Sequence, residues 1–525
     1  MTKNPSKTAT GSKKPPFYIT TTLPYVNAEP HIGFAMELIR ADIIARAKNL
    51  AGHEVFFNTG TDEHGLKIFQ KAKQNHKEPQ EYVDEAAAKF KELLPLLGIA
   101  ENVAGITFKF VRTTDTDHIA AAQEFWKIAD KNGLIYKKNY KIKYCVGCEL
   151  EKTESELVEG KCPLHPLMEL EVYEEENYFF RFSVYQKPLM DLYGRGSVSG
   201  SSGVGERRDG DGSPVTTPFV VPSSRLNEIR AFVERGLEDF SVSRLATKMP
   251  WGIPVPNDPA HVMYVWFDAL VNYISTIGWP TDMKKFDKWW VESGGAVQYC
   301  GKDNLRQQSA MWQAMLMAVK LPPSKQIIID GFITGEGGVK MSKSLGNAVN
   351  PLDIVKEYGT DALRYYVARE LHPFEDSAYS PDKFKESFNA HLANGLGNLT
   401  SRILKMAETN GIKYDLVAEK EFAESAEYKT LLEKYSEGLD KYDIQQASNS
   451  IWDLIGATDK IVQERQPFKK IKEDRAGAEK DIKELLARLH MIGTMLLPIL
   501  PETAAKIVGL VEKNKMPEAP LFMRK

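Results

Sequence analysis

Apolar and polar positions in the first part of the chain follow two alternating periods. Short apolar runs typical of strands occupy positions 17–22, 54–58 and 106–111, and longer amphipathic runs typical of helices occupy 32–50, 81–97 and 118–131. Further strand-like runs follow at 296–300 and 327–333. Strands that alternate with helices form parallel sheets with helices on both faces. The pattern therefore predicts an α/β fold with a doubly wound parallel sheet.

The character of the chain changes after residue 347. Helical periods dominate from residue 384 almost to the end, which predicts a helical bundle. Residues 194–217 are crowded with Gly and Ser, which is typical of a flexible excursion. We expect six segments: a disordered start (1–15), the first half of a Rossmann-like domain (16–139), a connective insertion (140–222), the second half of that domain (223–347), a linking segment (348–380) and a helical domain (381–525).

The stretch 23–33, LPYVNAEPHIG, lies between the first predicted strand and the first predicted helix. The start of a helix offers unpaired backbone N–H groups and a partial positive charge, which favour a phosphate. Gly33 lets the backbone approach such a ligand closely, and His31 adds a directional donor. A histidine that only completes the first helical turn would give the same pattern, so the stretch needs a partner elsewhere in the chain.

A candidate partner lies far downstream. Residues 337–347, GGVKMSKSLGN, place Lys340 and Lys343 among small residues after the run 327–333. Lysines on a mobile loop suit a polyphosphate whose negative charge must be neutralised as it develops. Alone, this stretch would be typical of a solvated basic turn. The two stretches together, in this order, favour nucleotide chemistry.

Four potential metal ligands form two pairs within the predicted insertion. Their spacing is C-x₂-C followed by C-x₂-H, with a short polar segment between the pairs, and the residues are Cys145, Cys148, Cys162 and His165. This spacing is typical of a tetrahedral zinc site, and buried free cysteines are the alternative. All four positions are filled by protein ligands, so we expect one structural Zn²⁺ per chain rather than a catalytic one.

Composition and charge narrow the classes of protein to which the chain can belong. The chain has 525 residues, of which 42% are hydrophobic, and this suits several domains. The formal charge of −3 does not indicate a nucleic-acid-binding protein, so any contact with nucleic acid must rest on local charged patches. Only 4 cysteines occur, which favours a reducing compartment, and we expect a cytoplasmic protein. No apolar run approaches the roughly 20 residues of a membrane span, and the polar start is unlike a secretory signal.

The His31-Ile32-Gly33 and Lys340-Met341-Ser342-Lys343-Ser344 segments resemble the two signatures of the class I aminoacyl-tRNA synthetases. The segment 59–65, TGTDEHG, and the single zinc knuckle resemble the bacterial methionyl-tRNA synthetase branch of that class. The leucine, isoleucine and valine enzymes carry a separate editing domain, for which residues 140–182 leave no room. The resemblance covers nearly all of the chain from residue 17 to residue 510.

The resemblance implies roles for individual residues. His31, Lys340 and Lys343 would be catalytic, and ATP would contact His31, Gly33, Gly301, Asp303, Lys340, Ser342 and Lys343. L-Methionine would be bound by Leu23, Tyr25, Asp62, Trp266, Tyr273 and Gln308, with Asp62 on the ammonium group. Without the resemblance, Thr61 or Asp62 is equally typical of a helix cap, the aromatic residues are more typical of a core, and Gly301 is typical of a simple turn.

Two positions depart from the family pattern. Phe34 stands where the first signature ends in a second histidine, and a phenyl ring cannot donate a hydrogen bond. If that donor acts on the transition state, its loss raises the activation free energy by on the order of 3 kcal/mol unless another group compensates. Gln308 stands where many relatives have a histidine beside the methionine side chain.

In the helical domain, the resemblance assigns anticodon recognition to Asn398, Arg402, Pro467 and Phe468. Asn398 and Arg402 are one helical turn apart on one face, and Phe468 replaces the usual stacking tryptophan. The resemblance implies a methionine–tRNA ligase that uses Mg²⁺ with ATP and charges tRNA(Met). Because no additional OB-type domain follows, we expect a monomer.

Three other functions fit the sequence less well. The first is a class I synthetase for another amino acid. The second is a tRNA-binding paralogue without catalysis, which the Phe34 departure motivates. The third is a general nucleotidyltransferase of similar fold, against which the anticodon-type bundle argues. Pyrophosphate exchange tested across amino acids separates the first alternative, and tRNA binding without adenylate formation would identify the second.

Overall fold

The structure is a computed structural model. It describes residues 14–27, 29–99, 103–147, 150–152, 157–194, 218–339, 341 and 349–525. The predicted disordered start lies outside these ranges up to residue 13, and the Gly/Ser-rich excursion lies outside them from residue 195 to residue 217.

The strands and helices follow the predicted alternation in the first part of the chain and become almost wholly helical in the last part. In chain order the strands are β1 Phe17–Thr20, β2 Val55–Thr61, β3 Ile106–Arg112, β4 Ile135–Cys145, β5 Leu150–Glu151, β6 Glu171–Phe180, β7 Val220–Val221, β8 Phe240–Ser241, β9 Ser243–Leu245, β10 Pro254–Val255, β11 Asp258–Met263, β12 Ala296–Gly301, β13 Gln326–Asp330, β14 Ile333–Thr334 and β15 Ser377–Ala378. The α-helices are α1 Ile32–Leu50, α2 Leu66–Gln74, α3 Pro79–Leu96, α4 Thr116–Lys131, α5 Gln186–Gly194, α6 Ser223–Glu234, α7 Val265–Leu270, α8 Asn272–Ser275, α9 Met283–Phe286, α10 Trp312–Ala318, α11 Pro351–Tyr358, α12 Thr360–Tyr365, α13 Pro381–Ser387, α14 Asn398–Asn410, α15 Leu416–Glu424, α16 Ala426–Asp440, α17 Ile444–Arg465, α18 Pro467–Lys470, α19 Arg475–Leu496 and α20 Pro501–Lys513.

A six-stranded parallel sheet forms the centre of the first domain, with the order β3-β2-β1-β12-β13-β7. The doubly wound parallel sheet is therefore confirmed. β1 pairs with β2 on one side and with β12 on the other, so the order of the strands reverses between β1 and β12. Ligands of open α/β sheets bind outside the carboxyl ends of the strands at such a reversal.

One predicted strand, 327–333, is two strands in the structure, β13 and β14. Gly331 lies between them, and a Cβ there would come within 2.1 Å of the Glu375 backbone oxygen. The chain therefore bends away from the sheet at a point where only glycine permits the approach of the Glu375 backbone.

The insertion is built on a long antiparallel hairpin of β4 and β6, which pair from Ile135 with Phe180 to Tyr144 with Glu171. β5 and β8 add to the two sides of this hairpin. The position 139/140, where we expect the insertion to begin, lies within β4.

The helical part of the chain shares a continuous apolar core with α1 and the parallel sheet. Arg364 on α12 joins the two parts: its Nη2 lies 2.7 Å from Asp42 Oδ2 on α1, and it donates to the backbone oxygens of Pro498 and Ile499 at 2.9 and 2.8 Å. Both side chains of the ion pair are fully buried. Removing one partner of such a pair would leave an uncompensated charge in the core.

Within the part of the chain that the structure describes, no helix is both long enough and apolar enough to cross a membrane.

Candidate functional site

The first turn of α1 is organised by His31, its N-cap residue. His31 Nδ1 accepts a hydrogen bond from the Gly33 backbone N–H at 3.1 Å. Because Nδ1 accepts, a neutral imidazole carries its hydrogen on Nε2. A Cβ at Gly33 would lie 3.0 Å from His31 Cε1, so glycine gives the ring room over the start of the helix. The histidine thus completes the helix turn and also exposes its ring beside a helix N-terminus.

The structure describes the chain on both sides of the lysine-bearing segment. Lys340, Ser342 and Lys343 themselves lie outside the described residues. Before the segment, the Gly335 N–H donates to the Val339 oxygen at 2.8 Å. After it, the Val349 oxygen accepts a hydrogen bond from the Ile32 N–H at 3.1 Å. Since Ile32 is the first residue of α1, the chain that follows the second signature lies against the first one.

Phe34 lies in the core rather than at the surface of the site. Its ring is buried and meets the ring of Phe90 edge to face, with 5.2 Å between the ring centroids. α1 and α3 therefore pack through this aromatic pair, and position 34 contributes to folding instead of offering a polar group.

Asp62 follows β2 and pairs with the stretch that contains Leu23 and Tyr25. The Asp62 N–H donates to the Pro24 oxygen at 3.0 Å, and the Val26 N–H donates to the Asp62 oxygen at 3.2 Å. The next helix, α2, has Gly65 as its N-cap residue, so the alternative of a helix cap at Thr61 or Asp62 is wrong. The Asp62 side chain is buried at the carboxyl ends of β1 and β2.

Glu63, which sequence reasoning missed, anchors this segment. Its buried carboxylate accepts two hydrogen bonds from Arg112, at 2.7 Å from Nε and 2.8 Å from Nη2, and one from the Thr114 hydroxyl. The Glu63 N–H donates to Thr113 Oγ1 at 2.9 Å. A bidentate arginine–carboxylate pair is geometrically specific, and it fixes the backbone directly beside Asp62.

His64 connects the same segment to α7. His64 Nδ1 lies 3.3 Å from Asp268 Oδ2, and both side chains are buried. Burial raises the pKa of the Asp268 carboxyl, an effect that His64 opposes. Because α7 also carries Trp266, this contact sets the position of Trp266 relative to Asp62.

The predicted methionine-binding residues lie on elements that meet at this edge of the sheet. Tyr273 on α8 is buried, and its hydroxyl accepts a hydrogen bond from Gln308 Nε2 at 2.7 Å. The Tyr18 hydroxyl on β1 donates to the Tyr273 backbone oxygen at 2.7 Å, which places α8 against the sheet. Leu23, Tyr25 and Trp266 are half-buried, as is expected of side chains that line an open pocket.

Gly301 ends β12, and Asp303 follows in a single 3₁₀ turn, Lys302–Asn304. A Cβ at Gly301 would lie 2.9 Å from Asp303 Oδ1. Asp303 is exposed, and its Oδ1 accepts a hydrogen bond from Asn304 Nδ2 at 3.1 Å. The alternative of a simple turn thus describes the backbone, and this turn lies beside the reversal of strand order.

Two buried acids lie under the start of the site, and sequence reasoning missed both. Glu37 Oε1 accepts hydrogen bonds from the Thr22 N–H and hydroxyl, each at 2.6 Å, and burial raises the pKa of Glu37 to about 8. Burial also raises the pKa of Asp330 to about 6, although Arg40 Nη1 lies 3.2 Å away. The sequence signal was the occurrence of Glu37 and Arg40 within the otherwise apolar first half of α1.

The predicted zinc ligands that the structure describes come together near the end of the hairpin. The ligand atoms of Cys145, Cys162 and His165 all lie within 4.8 Å of one another, and Cys145 Sγ is 3.8 Å from His165 Nδ1. A zinc ion bound to both would hold them about 3.6 Å apart. A Cβ at Gly147 would come within 2.5 Å of the His165 ring, so glycine permits this approach. Cys148 lies outside the described residues. The three residues fit a zinc ion.

The predicted anticodon residues lie on helices of the C-terminal part. Asn398 on α14 is exposed. Arg402 lies one turn later, and its Nη1 is 2.5 Å from Asp459 Oδ1 on α17. Pro467 begins the short helix α18 and is buried, whereas Phe468 remains 45% exposed. An exposed aromatic ring next to basic residues suits base stacking.

Comparisons with known proteins give the same family for both the first and the last part of the chain. Residues 17–169 and 168–404 match the family model described as tRNA synthetases class I (M), and residues 415–519 match the anticodon binding domain of methionyl tRNA ligase. The methionine–tRNA ligase of Thermotoga maritima is 39% identical over 511 residues, covering 95% of this chain and 76% of the relative. That of Synechocystis sp. is 36% identical over 512 residues, covering 94% of this chain and 89% of the relative.

A solved structure shows the same fold. The structure of Mycobacterium tuberculosis methionyl-tRNA synthetase in complex with methionyl-adenylate superposes with a TM-score of 0.84 at 32% identity, covering 97% of this chain and all of that one. Together with the sheet, the paired signatures and the helical domain, these matches show that the chain belongs to the methionyl-tRNA synthetase family of class I aminoacyl-tRNA synthetases.

Proposed function

We propose that this methionine–tRNA ligase activates L-methionine with ATP at the carboxyl edge of the parallel sheet and then charges tRNA(Met). The observation that supports this site most directly is the hydrogen bond from the Ile32 N–H to the Val349 oxygen. It holds the chain that follows the lysine segment against the helix start at which His31 lies. This contact supports the proposal that the two signatures, far apart in the sequence, act on one nucleotide.

In the amino-acid site, Asp62 binds the ammonium group of methionine. The segment 62–65 is held by the Glu63–Arg112 and His64–Asp268 contacts, so the carboxylate is positioned before the substrate arrives. Leu23, Tyr25, Trp266, Tyr273 and Gln308 enclose the side chain in a mainly apolar pocket. The thioether sulfur is polarizable and packs well at aromatic edges.

In the first reaction, a carboxylate oxygen of methionine attacks the α-phosphorus of ATP. An O–P bond forms as the bond to the pyrophosphate oxygen breaks, giving methionyl-adenylate and pyrophosphate. His31, Lys340 and Lys343 stabilise the negative charge on the transferring groups, so catalysis is mainly positioning and electrostatics. Gly33, Gly301, Asp303 and Ser342 contact the nucleotide. Mg²⁺ bound with ATP would supply further neutralisation of the phosphate charge.

In the second reaction, the 2′-hydroxyl of the terminal ribose of tRNA attacks the methionyl carbonyl, and AMP leaves. Asn398, Arg402, Pro467 and Phe468 form the anticodon surface, where the exposed Phe468 ring stacks on a base. We propose that the chain acts as a monomer in the cytoplasm.

One Zn²⁺ per chain would be held by Cys145, Cys148, Cys162 and His165, where it would cross-link the end of the β4–β6 hairpin. Elemental analysis of the purified protein is expected to give one zinc per chain. Cys162→Ser is expected to lose it, whereas Cys300→Ser is expected to retain it, because Cys300 is buried in β12.

Methionine-dependent ATP–pyrophosphate exchange without tRNA tests the catalytic assignment. We expect exchange with methionine alone among the amino acids, its loss in Lys343→Ala, and wild-type exchange in Lys429→Ala, an exposed lysine on α16. Exchange with another amino acid instead would identify a synthetase of different specificity. A folded protein that binds tRNA without forming an adenylate would overturn the assignment in favour of the paralogue that Phe34 motivates.

A further inference from the structure

Buried amide side chains form a continuous hydrogen-bonded chain behind Tyr273. Its members lie on β12, on α10, in the turn before α10, in the loop before β13 and, with Tyr273 itself, on α8, and each is at most 3% exposed. In order, they are Gln313, Ser324, Gln298, Gln308 and Tyr273. We refer to these five residues as the amide relay.

The first member, Gln313, is fixed by backbone groups, whose donor and acceptor roles cannot change. Gln313 Oε1 accepts a hydrogen bond from the Ser324 N–H at 3.0 Å, and Gln313 Nε2 donates to the Gln308 backbone oxygen at 2.8 Å. An inverted Gln313 amide would place two donors together at one end and two acceptors at the other. The orientation of this amide is therefore determined by the fold.

From Gln313, the direction of every later bond follows. Gln313 Nε2 donates to Ser324 Oγ at 3.1 Å, and the Ser324 hydroxyl then donates to Gln298 Oε1. Gln298 Nε2 consequently faces Gln308 Oε1, to which it donates at 2.9 Å. Inverting Gln298 would leave the Ser324 hydrogen without an acceptor and oppose two carbonyl oxygens at Gln308.

The last bond decides what the tyrosine can do. Because Gln308 Oε1 is occupied, Gln308 Nε2 donates to Tyr273 Oη at 2.7 Å. The tyrosine oxygen thus accepts, and its own hydrogen is directed elsewhere. Across the described ranges, the hydroxyl of Tyr273 donates to no protein group. Burial raises the pKa of this hydroxyl well above its ordinary value, so it keeps its hydrogen.

We propose that Gln298 is a positioning residue for methionine selection: it holds Gln308 in the orientation that makes the Tyr273 hydroxyl a donor into the amino-acid pocket. This inference rests on the proposed function, in which Tyr273 lines that pocket. A thioether sulfur accepts a weak hydrogen bond, whereas a methylene group does not. The relay therefore favours methionine over norleucine, in which a methylene replaces the sulfur and which is otherwise close in shape.

The test compares methionine and norleucine as substrates for ATP–pyrophosphate exchange. Gln298→Met removes the donor and the acceptor while keeping the volume, and it frees the Gln308 amide to invert. We expect the ratio of kcat/KM for methionine to that for norleucine to fall about five- to tenfold, mainly through a higher KM for methionine. The kcat/KM for norleucine should change less than about twofold.

Three further variants distinguish a directional relay from general damage. Gln298→His retains one acceptor and one donor at similar spacing, and we expect it to restore the ratio. Gln326→Met, a buried amide on the neighbouring strand β13, should leave the ratio unchanged. In a Tyr273→Phe background, Gln298→Met should cause no additional loss of discrimination, because its effect passes through the hydroxyl.

The two hypotheses fail in different ways. Absence of methionine-dependent exchange in the wild-type protein would refute the proposed function before any variant is compared. If the wild-type protein prefers methionine, a ratio in Gln298→Met within about twofold of wild type would overturn the relay. Equal losses for both substrates, or additive losses in the Tyr273→Phe background, would also overturn it. Activity with norleucine reports that each variant is folded.

Discussion

We propose that the segment 62–65 and the anticodon surface both serve recognition, and the two are constructed differently. In the segment, the Glu63 and His64 side chains are buried and contact residues remote in the sequence, Arg112 and Asp268. On the anticodon surface, the predicted residues lie on helices, and the Phe468 ring is 45% exposed.

We attribute the difference to the size and charge of the two proposed ligands. A small ammonium group must be located to a fraction of an ångström, which requires a carboxylate held by a rigid and largely dry surrounding. A nucleotide base offers a broad face on which an exposed ring can stack, so helix geometry alone places the contact well enough. Substitutions at the sheet edge should therefore have larger and less local effects than substitutions on the bundle.

The largest effect is expected for Asp62→Asn, which removes the charge that we propose binds the ammonium group. We expect kcat/KM for methionine in pyrophosphate exchange to fall about 100-fold or more, because a charge-assisted contact is lost in a buried site. Asp382→Asn, at an exposed position on α13, is the matched control. An unchanged KM for methionine would show that Asp62 is not the ammonium ligand.

The next effect tests whether the sheet edge depends on remote support. Arg112→Met would leave the buried Glu63 carboxylate without its partner, and we expect the free energy of unfolding to fall by about 3 kcal/mol. Urea unfolding followed by tryptophan fluorescence measures this change, and KM for methionine should rise in parallel. Arg235→Met, on an exposed residue after α6, should alter neither quantity. If Arg112→Met unfolds like the wild type but has a higher KM, then Arg112 positions the site without contributing to the free energy of unfolding.

A smaller and more local effect is expected on the bundle. Phe468→Ala should lower kcat/KM for tRNA(Met) in aminoacylation about tenfold, since stacking on one base contributes about 1 to 3 kcal/mol. Pyrophosphate exchange should not change, because the ring lies on α18, which contributes none of the residues of the sheet edge. Leu416→Ala removes another exposed apolar side chain from this domain and serves as the control. Loss of exchange in Phe468→Ala would contradict the independence of the two regions.

The smallest effect concerns pH and the buried acids under the site. The folded pKa of Glu37, about 8, lies above its ordinary value of 4.5, so the folded state keeps a proton that the unfolded state releases. The associated stability is present at low pH and is lost as the pH rises through about 8. Glu37→Gln mimics the protonated acid and should remove this pH dependence of the free energy of unfolding.

Between pH 5.5 and 8.5, the melting temperature of the wild type should therefore fall about 2 to 4 °C more than that of Glu37→Gln. Asp330 contributes in the same direction up to about pH 6 and is present in both proteins. Parallel melting curves for the two proteins would show that Glu37 is ionised in the folded state.

Several features could be predicted from local sequence because their causes are local. The helix Ile32–Leu50 has the bounds that its periodicity indicated, and the pairs of zinc ligands are recognisable from spacing. The break at Gly331 could not be predicted, because the apolar run continues through it and the approaching backbone belongs to Glu375. The roles of Glu63 and Asp268 were missed for the same reason, since their partners are far away in the sequence.

The sequence by itself determined the parallel sheet, the helical domain and, through the resemblance, the family, and it supplied the residues that we propose to be chemically active. Only the tertiary structure decided that Val349 meets the start of α1, that Phe34 packs on Phe90, and that Gln298 directs the hydrogen bonds leading to Tyr273. Periodicity and spacing report forces between neighbours along the chain. The orientation of a buried polar group depends on donors and acceptors that folding brings from distant parts of the chain, and in a dry interior each of them must be satisfied.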